Sequence, residues 1–587
     1  MKLPIRNKYL FLNLFFLFVT FLIYRYWLFH VDELSIRDWE YFNSLSYAIK
    51  SIVLGYKKFP VHNPWICGGL DILANPQSRV FSPNFLVDLL FYPPLSNLVS
   101  LMLYTFWGLW GTYLLLRQLE LERVSSVIGS VFYINCSWFG LHFMEGHIIF
   151  GSMQILPFVT YLSLQLGKSP HYFLLLCATL SCFLLDGSIY TFTFSLYLII
   201  TLLFTNCIPF GNLKHVFLRD FFYTFSTILA SILLTAPKTL PILLNLYSRQ
   251  PFLEFFTMPM PLLEKAFFNI RQRIDDPTIY SMYGFHEFGC YTSPLSLILV
   301  LFITVRWRTF FINNWRYFFL ALLWLSIGAG LFPSINPWFF IQKIPMLNNA
   351  RLQSRVLVIF FIFLSILVAK ALDRTKQDPF VFWTLAVILL SESFIARIHP
   401  TMFHPSSAGP KVHTLIQNQT ITKTVPYSRA VAHYFSLNTG SANCYEPSFY
   451  PTNIQYNGSP YYQGEVYTLP KNSGSVSLRT YTPGFILIDY DLQRSAMIQL
   501  NTNTLAGWRV RSQNAKLFGR GKDLLLLEPS EKKGEIILEY EPQYFKEMTT
   551  AFLSGLIIFC LIGLRSRQRK NWGTAGSETV NIEHLLF

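Results

Sequence analysis

Residues 9–29 read YLFLNLFFLFVTFLIYRYWLF, an apolar run broken only by Asn13, Arg25 and a few aromatics with polar tips. Roughly 20 apolar residues are needed to cross a bilayer. The run follows Lys2, Arg6 and Lys8 and ends in bulky residues rather than at a small-residue cleavage site. It therefore reads as a retained transmembrane helix and not as a cleavable signal. Working outward from it, further runs of the same kind lie at 97–116, 124–142, 148–166, 171–186, 189–206, 220–244, 292–306, 317–333, 354–371, 379–396 and 547–564. The sequence thus predicts a polytopic α-helical membrane protein with about 12 transmembrane helices.

Composition agrees. Of 587 residues, 52% are hydrophobic and only 13% charged, against about 25% charged in soluble domains. Aromatics reach 17%, which suits helices bordered by interfacial rings. The net charge of +15 could signal nucleic acid, but the basic residues sit in short clusters between apolar runs. With the N-terminus cytoplasmic, those clusters all fall in cytoplasmic turns: Arg117 and Arg123, Lys168, Lys214 and Arg219, Arg306 with Arg308 and Arg316, and Arg374 with Lys376. The tail begins Arg565, Arg567, Arg569, Lys570, whereas the short outer turns at Gly146 and Gly187 carry no Lys or Arg. This is the positive-inside pattern; it places both termini of a multi-pass membrane protein in the cytoplasm and excludes nucleic acid as partner, and the resemblance given below implies the bacterial inner (plasma) membrane. The eight cysteines show no CxxC spacing; Cys67, Cys290 and Cys444 fall in outer loops, where a disulfide is an option.

The resulting organisation is a transmembrane module over 1–396 with outer loops 30–96 and 245–291, an outer β-rich domain over 397–546, a last helix at 547–564 and a basic tail at 565–587. Within the β-rich part, Ser475–Tyr490 alternates and turns at Pro483-Gly484, and Ala496–Leu500, Leu524–Leu527 and Glu535–Tyr540 are strand-like. Together they suggest a small antiparallel sandwich.

The first outer loop carries the densest signal. It opens Asp38-Trp39-Glu40-Tyr41, continues Pro60-Val-His-Asn-Pro-Trp65-Ile-Cys-Gly68-Gly69, and then Ala74-Asn75-Pro-Gln77-Ser-Arg-Val-Phe-Ser-Pro83. Such residues make fixed turns and present polar groups from a rigid backbone; they either line a substrate groove or form a packed lid that shapes it without touching substrate. Asp38, just beyond an apolar span, is placed to act as a general base toward an acceptor hydroxyl or to hold a metal against a phosphate; the alternative is an interfacial helix cap. Glu145 and His147, in a very short outer turn, are supporting candidates. Lys238, Arg351 and Arg355 lie near outer helix ends, where cations either bind phosphate oxygens or snorkel. His286-Glu287 closes the second outer loop and adds a polar wall. His142 and His62 are too scattered to argue for a metal from spacing. No Walker motif, GxSxG or HExxH is present.

At these residues the chain resembles YfhO-like bacterial membrane proteins, which belong with the GT-C class of polyprenyl-phosphate-dependent glycosyltransferases. The matching positions are Asp38, His62-Asn63-Pro64-Trp65, Gly68-Gly69, Ala74-Asn75-Pro76-Gln77-Ser78, Gly146-His147, Leu156-Pro157, the Pro345…Arg351…Arg355 segment and Gly507-Trp508. The resemblance implies a GT-C-like fold and transfer of a sugar from a polyprenyl-phosphate donor to a glycan or lipid acceptor of the cell envelope, on the extracytoplasmic face. It implies Asp38 as base, Arg351, Arg355 and Lys238 on the donor phosphate, Glu145 and His147 beside them, and Trp65, Gly68, Gly69, Asn75 and Gln77 in the groove. Asp38 is followed by Trp39 and Glu40 rather than directly by a second acid, which leaves a divalent cation such as Mg or Mn open. Competing expectations are a flippase or transporter of lipid-linked sugars and a non-catalytic envelope-assembly protein. Against a transporter stand the long Gly/Pro-rich first loop and the absence of an internal repeat.

Overall fold

The computed structural model describes residues 5–34, 37–166, 168–206, 213–246, 255–272, 284–344, 352–402, 415, 420–425, 435–442, 453–518, 524–542 and 544–570. Its helices follow the apolar runs. Among the described residues seven are long and apolar enough to cross a membrane: Tyr9–Phe29, Leu95–Gln118, Arg123–Glu145, Ile148–Gln165, Arg308–Gly328, Gln353–Gln377 and Pro379–His399. An eighth arises if Phe221–Leu234 and Ala236–Leu244, which meet at an 87° bend, form one span. His171–Leu185, Ile189–Thr205 and Pro294–Arg306 are apolar but shorter, and the last helix is Phe545–Lys570. The chain is thus a multi-pass helical membrane protein with seven or eight long spans among the described residues, where the hydropathy pattern led to about twelve. The difference lies in length: the helices on three of the runs are short, two of them, Pro170–Leu185 and Pro294–Arg306, beginning after a serine whose side chain caps the helix.

The segment 30–96, expected as the first outer loop, is itself structured. Helix α1 (Ile5–Phe29) is followed by α2 (Asp38–Lys50), of which every residue from Trp39 to Lys50 is buried. A helix buried all round has to satisfy its polar groups internally. Asn43 donates to the Leu34 carbonyl at 2.8 Å and accepts from Asn97 at 2.8 Å, and Lys50 donates to the carbonyls of Leu89 (2.5 Å) and Phe91 (3.2 Å). The Trp39 indole donates to the Phe143 carbonyl at 2.8 Å, which docks α2 on the helix Ser137–Glu145. Arg79 locks the Asn-Pro-Gln segment beneath: it pairs with the fully buried Asp88 at 2.5 Å and donates to Ser46 (2.7 Å) and Ser100 (3.0 Å). Burial pushes the Asp88 carboxyl up, opposed by the Arg79 charge.

The C-terminal region is β-rich. After the short strands β1 (His62–Asn63), β2 (Leu70–Asp71), β3 (Thr424–Val425) and β4 (Gly440–Ser441) come eight more. These are β5 (Val466–Leu469), β6 (Gly474–Thr482), β7 (Phe485–Leu492), β8 (Met497–Asn503), β9 (Trp508–Val510), β10 (Ala515–Phe518), β11 (Leu524–Pro529) and β12 (Lys533–Tyr540). They form two antiparallel four-stranded sheets, ordered β10-β11-β8-β5 and β6-β7-β12-β9. The hairpin β6–β7 turns at Pro483-Gly484, with Gly484 at φ 70°, the left-handed position that glycine takes without steric cost. Ile486, Ile488 and Tyr490 are buried on alternate positions of β7, and Ile536, Leu538 and Tyr540 on β12, as a half-buried sheet requires.

These sheets are joined to the first loop through a dense seam. Gly68 accepts from the Asn503 backbone (2.8 Å) and the Thr502 hydroxyl (2.6 Å), Ser441 donates to the Trp65 carbonyl (2.7 Å), and Cys67 donates to the Ser441 carbonyl (2.8 Å). Cys67 is disulfide-bonded, so the option read from the outer loops is realised there, whereas Cys290 is free and buried; Cys444 lies outside the described residues. The fully buried His62 stacks against Trp508 and Tyr540, and its Nδ1 accepts from the Gly484 backbone at 3.2 Å. Tyr540 donates to Asp71 at 2.6 Å.

Burial, helped by Lys58, pushes His62 down to about 3. Its folded value lies below the ordinary 6.5, so the unfolded chain takes the proton first, and the neutral ring's contribution is lost as pH falls from 6.5 toward 3. Asp71 works the other way, because burial raises its carboxyl. The His62 contribution amounts to roughly 3 kcal/mol between about pH 6.5 and about pH 4. Hydrogen exchange of residues 466–540 across that range is expected to show loss of protection in wild type. His62→Gln keeps an acceptor for Gly484 and does not titrate, so it should flatten the dependence; an equal acid response in the variant would exclude His62 as its source.

Candidate active site

Four segments meet at one end of the helical bundle: the start of α2, the turn after Ser137–Glu145, the short helix Phe285–Phe288, and the one-turn segment Gln353–Val356 that leads into Leu357–Arg374. The geometry at the centre is set by Gly146. It ends Ser137–Glu145 in the left-handed conformation at φ 95°, with its N–H returning to the Phe143 carbonyl, a common glycine helix stop. An added Cβ would lie 2.2 Å from the Trp39 nitrogen and 2.7 Å from the Asp38 carbonyl carbon. The turn therefore rests directly on the first residues of α2.

This contact brings Asp38 and His147 together, with Asp38 Oδ2 at 3.3 Å from His147 Nε2. His147 Nδ1 lies 2.8 Å from His142 Nδ1. An ionised carboxylate only accepts hydrogen bonds. His147 then donates through Nε2 to Asp38 and accepts at Nδ1 from His142. That leaves His142 Nε2 as a bare acceptor, and it is buried without a partner among the described residues. Glu145 is ion-paired with Arg37, itself held at φ 50° just before α2, and stands 4.0 Å from His286 Nδ1. His286 Nε2 is 4.0 Å from Glu287. Glu287, 2% exposed, receives Arg355 in a fork, with Nε at 2.9 Å from one oxygen and a second nitrogen on the other. Burial works against the Glu287 carboxylate, but the Arg355 guanidinium overrides it and holds the group well below the usual range. Burial pushes His286 down to about 4.

The remaining candidates take other places. Arg355 has its fork engaged by Glu287 and stacks over Phe150 and Tyr190, so its charge is committed within the protein. Lys238, fully buried at the helix bend, donates to the carbonyls of Ser78 and of Leu185, the latter at 2.7 Å; it pins the Asn-Pro-Gln segment to a helix end. Arg351 lies outside the described residues. Trp65, Gly68 and Gly69, expected in a groove, sit in the seam to the sheets. Trp65 is fully buried with its indole on Asn438 at 2.7 Å, and the Gly69 carbonyl accepts from Asn503 at 3.1 Å. Their density of turn-forming residues serves packing, the second of the two roles open to them. Asn75 shapes a turn by accepting from the Gln77 backbone at 2.8 Å and donates to Tyr41 at 3.1 Å. Gln77 Oε1 is buried without a partner among the described residues. Three members of the cluster are not legible in the sequence: Arg37 carries no signal of its own, His142 is scattered from the other histidines, and His286 suggests only a polar wall. Nothing in the local spacing marks them, because they come from three separate segments.

No family model matches this sequence, and no curated protein matches it. Among solved structures, the chain is similar to the cryo-EM structure of the arabinofuranosyltransferase AftD from Mycobacteria. The TM-score is 0.40 at 12% identity, over 68% of this chain and 27% of that one. At that level the likeness fixes neither fold nor activity here, and the chain spans about a quarter of that protein's length. The weight rests on the cluster itself.

The cluster also contains a metal-compatible donor set. His147, His286 and Glu287 each place a ligand atom within 4.8 Å of the others, and His286 Nδ1 is a buried nitrogen without a hydrogen bond among the described residues. Two imidazoles and a carboxylate suit Zn²⁺ or a similar transition metal; Mg²⁺ prefers oxygen ligands and retained waters.

Gly146→Ala tests whether the turn positions Asp38. The new methyl meets backbone in a strained conformation, so the two segments must part. We expect any reaction that depends on the Asp38–His147 contact to slow about 10²-fold, in line with misplacement by about 1 Å, with secondary structure retained by circular dichroism. Full activity in the variant would mean that the Asp38–His147 spacing is not critical.

Proposed function

We propose that the protein is a membrane glycosyltransferase that moves a sugar from a polyprenyl-phosphate donor to an envelope glycan or lipid acceptor on the extracytoplasmic face, with Asp38 as general base. The three shorter apolar helices and Phe545–Lys570 then complete about 12 spans in the GT-C manner, with 397–546 as an extracytoplasmic domain. The observation that carries the reading is the contact of Asp38 with His147 at 3.3 Å, at the end of an apolar bundle, in a cluster that holds both acids and cations. A lipid-linked donor has its tail in the bilayer and its phosphate at the boundary, which is where such a cluster is useful.

In the reaction the acceptor oxygen forms a bond to the anomeric carbon as the bond from that carbon to the phosphate oxygen breaks. Asp38 takes the hydroxyl proton, and the phosphate leaves as an anion. His147, hydrogen-bonded between Asp38 and His142, fixes the carboxylate's orientation. Arg355 keeps Glu287 ionised and in place, while Arg37 pairs with Glu145. A cation held by His147, His286 and Glu287 would add positive charge for the departing phosphate, and a His147 nitrogen that bound it would give up its hydrogen bond to Asp38 or to His142.

The test is sugar transfer by the purified protein in lipid nanodiscs with a panel of polyprenyl-phosphate sugars. Turnover of one donor is the expected result. No turnover of any donor, together with movement of lipid-linked sugar across liposome membranes, would replace this reading with a flippase.

A further inference from the structure

A second site lies at the other end of the bundle. A cavity of about 310 Å³ opens among the helices Leu95–Gln118, Leu156–Gln165, Ile189–Asn206, Arg308–Gly328 and Leu357–Arg374, at the lower end of the size range of small-molecule pockets. The lining residues of the first four helices lie toward the ends that the charge pattern assigns to the cytoplasm, and those of Leu357–Arg374, Phe363 and Ile366, lie mid-helix. Leu357–Arg374 shows the separation: Arg355, in the acidic cluster, precedes it, whereas Ile366 lines the cavity. Phe363 lines it too, so eight to eleven residues at about 1.5 Å each put roughly 12–16 Å between Arg355 and the cavity.

The lining is divided by chemistry. Leu115, Leu164, Leu202 and Phe363 make an apolar wall, while Thr205, Asn313 and Arg316 supply polar groups. Arg316 stacks over Trp315 at 5.8 Å and forms no ion pair among the described residues. Lys370 stands 5.7 Å from the ring of Tyr317, another lining residue. Phe204, Ile312 and Phe319, next in sequence to the lining residues Thr205, Asn313 and Leu320, are 64%, 58% and 49% exposed, which in a multi-pass protein places them against lipid.

We infer that this cavity binds one anionic phospholipid of the surrounding membrane. An acyl chain lies along the leucine wall, and the phosphodiester meets Arg316 and Asn313. Charge complementarity selects the occupant: an arginine without an acidic partner among the described residues, at the edge of an apolar slot, binds phosphate oxygens through its fork, and anionic lipids are attracted to basic surfaces of this kind. A lipid with a zwitterionic headgroup offers the same chains without net charge. The inference depends on the chain spanning a membrane and is independent of the transferase reading.

Native mass spectrometry of the full chain in mild detergent tests it, with phosphatidylglycerol and phosphatidylcholine titrated at equal concentration. Wild type is expected to retain one phosphatidylglycerol about tenfold more tightly than phosphatidylcholine, and Arg316→Gln to lose about that tenfold preference. Leu164→Trp fills the slot with Arg316 intact and should reduce retention by a similar factor; it decides the matter if Arg316→Gln fails to fold. Equal retention of the two lipids by wild type, or undiminished phosphatidylglycerol retention in monodisperse Leu164→Trp, overturns the inference.

Discussion

Asp38→Asn is expected to lower sugar transfer by about 10²–10⁴-fold, the usual contribution of a positioned general base. The substitution keeps the shape of the side chain, and the new amide can still bond His147, whose ring can present either a donor or an acceptor. What is lost is proton affinity. The melting temperature should stay close to that of wild type, and binding of the donor should change little. Asp38 is 27% exposed, so water and substrate reach it while the backbone of α2 stays buried. Measured kcat and KM in nanodiscs separate the outcomes. A collapse in kcat at unchanged fold assigns the base. Retained turnover would falsify that role and return Asp38 to the alternative of an interfacial helix cap.

Arg355→Met is expected to cost about 3–5 kcal/mol of stability, because it strands a carboxylate in a site only 2% exposed. Glu287→Leu alone should cost a comparable amount, since it strands the guanidinium. The double variant Arg355→Met/Glu287→Leu should recover most of the loss, as replacing a buried ion pair by apolar groups of similar volume is often close to neutral. The double-mutant cycle, read by thermal melting in nanodiscs, should therefore show a coupling of several kcal/mol. Additive losses would mean that the pair is solvated in the native protein. Activity is expected to stay low in the double variant even where stability returns, because Glu287 and His286 are then no longer held beside His147.

These two groups differ in how far the sequence reveals them. Asp38 is readable because its signal is local: an acid placed directly after an apolar span. Arg355 is readable as a cation near a helix start, but not as the partner of Glu287, which lies 68 positions away. Lys238 shows the same limit. Proline interruption and position near a helix end mark it as unusual, while its hydrogen bonds to Ser78 and Leu185 depend on two other segments.

Hydropathy and charge alone determined that this is a multi-pass helical membrane protein, and alternation with turn residues determined the β-rich C-terminal region. These signals are local, because a residue's cost of meeting lipid, and the two-residue period of a strand, are properties of a short window. Tertiary structure alone decided that the run 220–244 bends by 87° just before Lys238, so that it is one span only if both halves are taken together. It alone placed Trp65, Gly68 and Gly69 in the seam with the sheets, and brought Arg37, His142 and His286 to Asp38 and His147. The contacts of that seam join residues as far as 469 positions apart, the separation of Asp71 and Tyr540. They are fixed by burial and by the need to satisfy buried polar groups, and neither can be counted until the chain has folded.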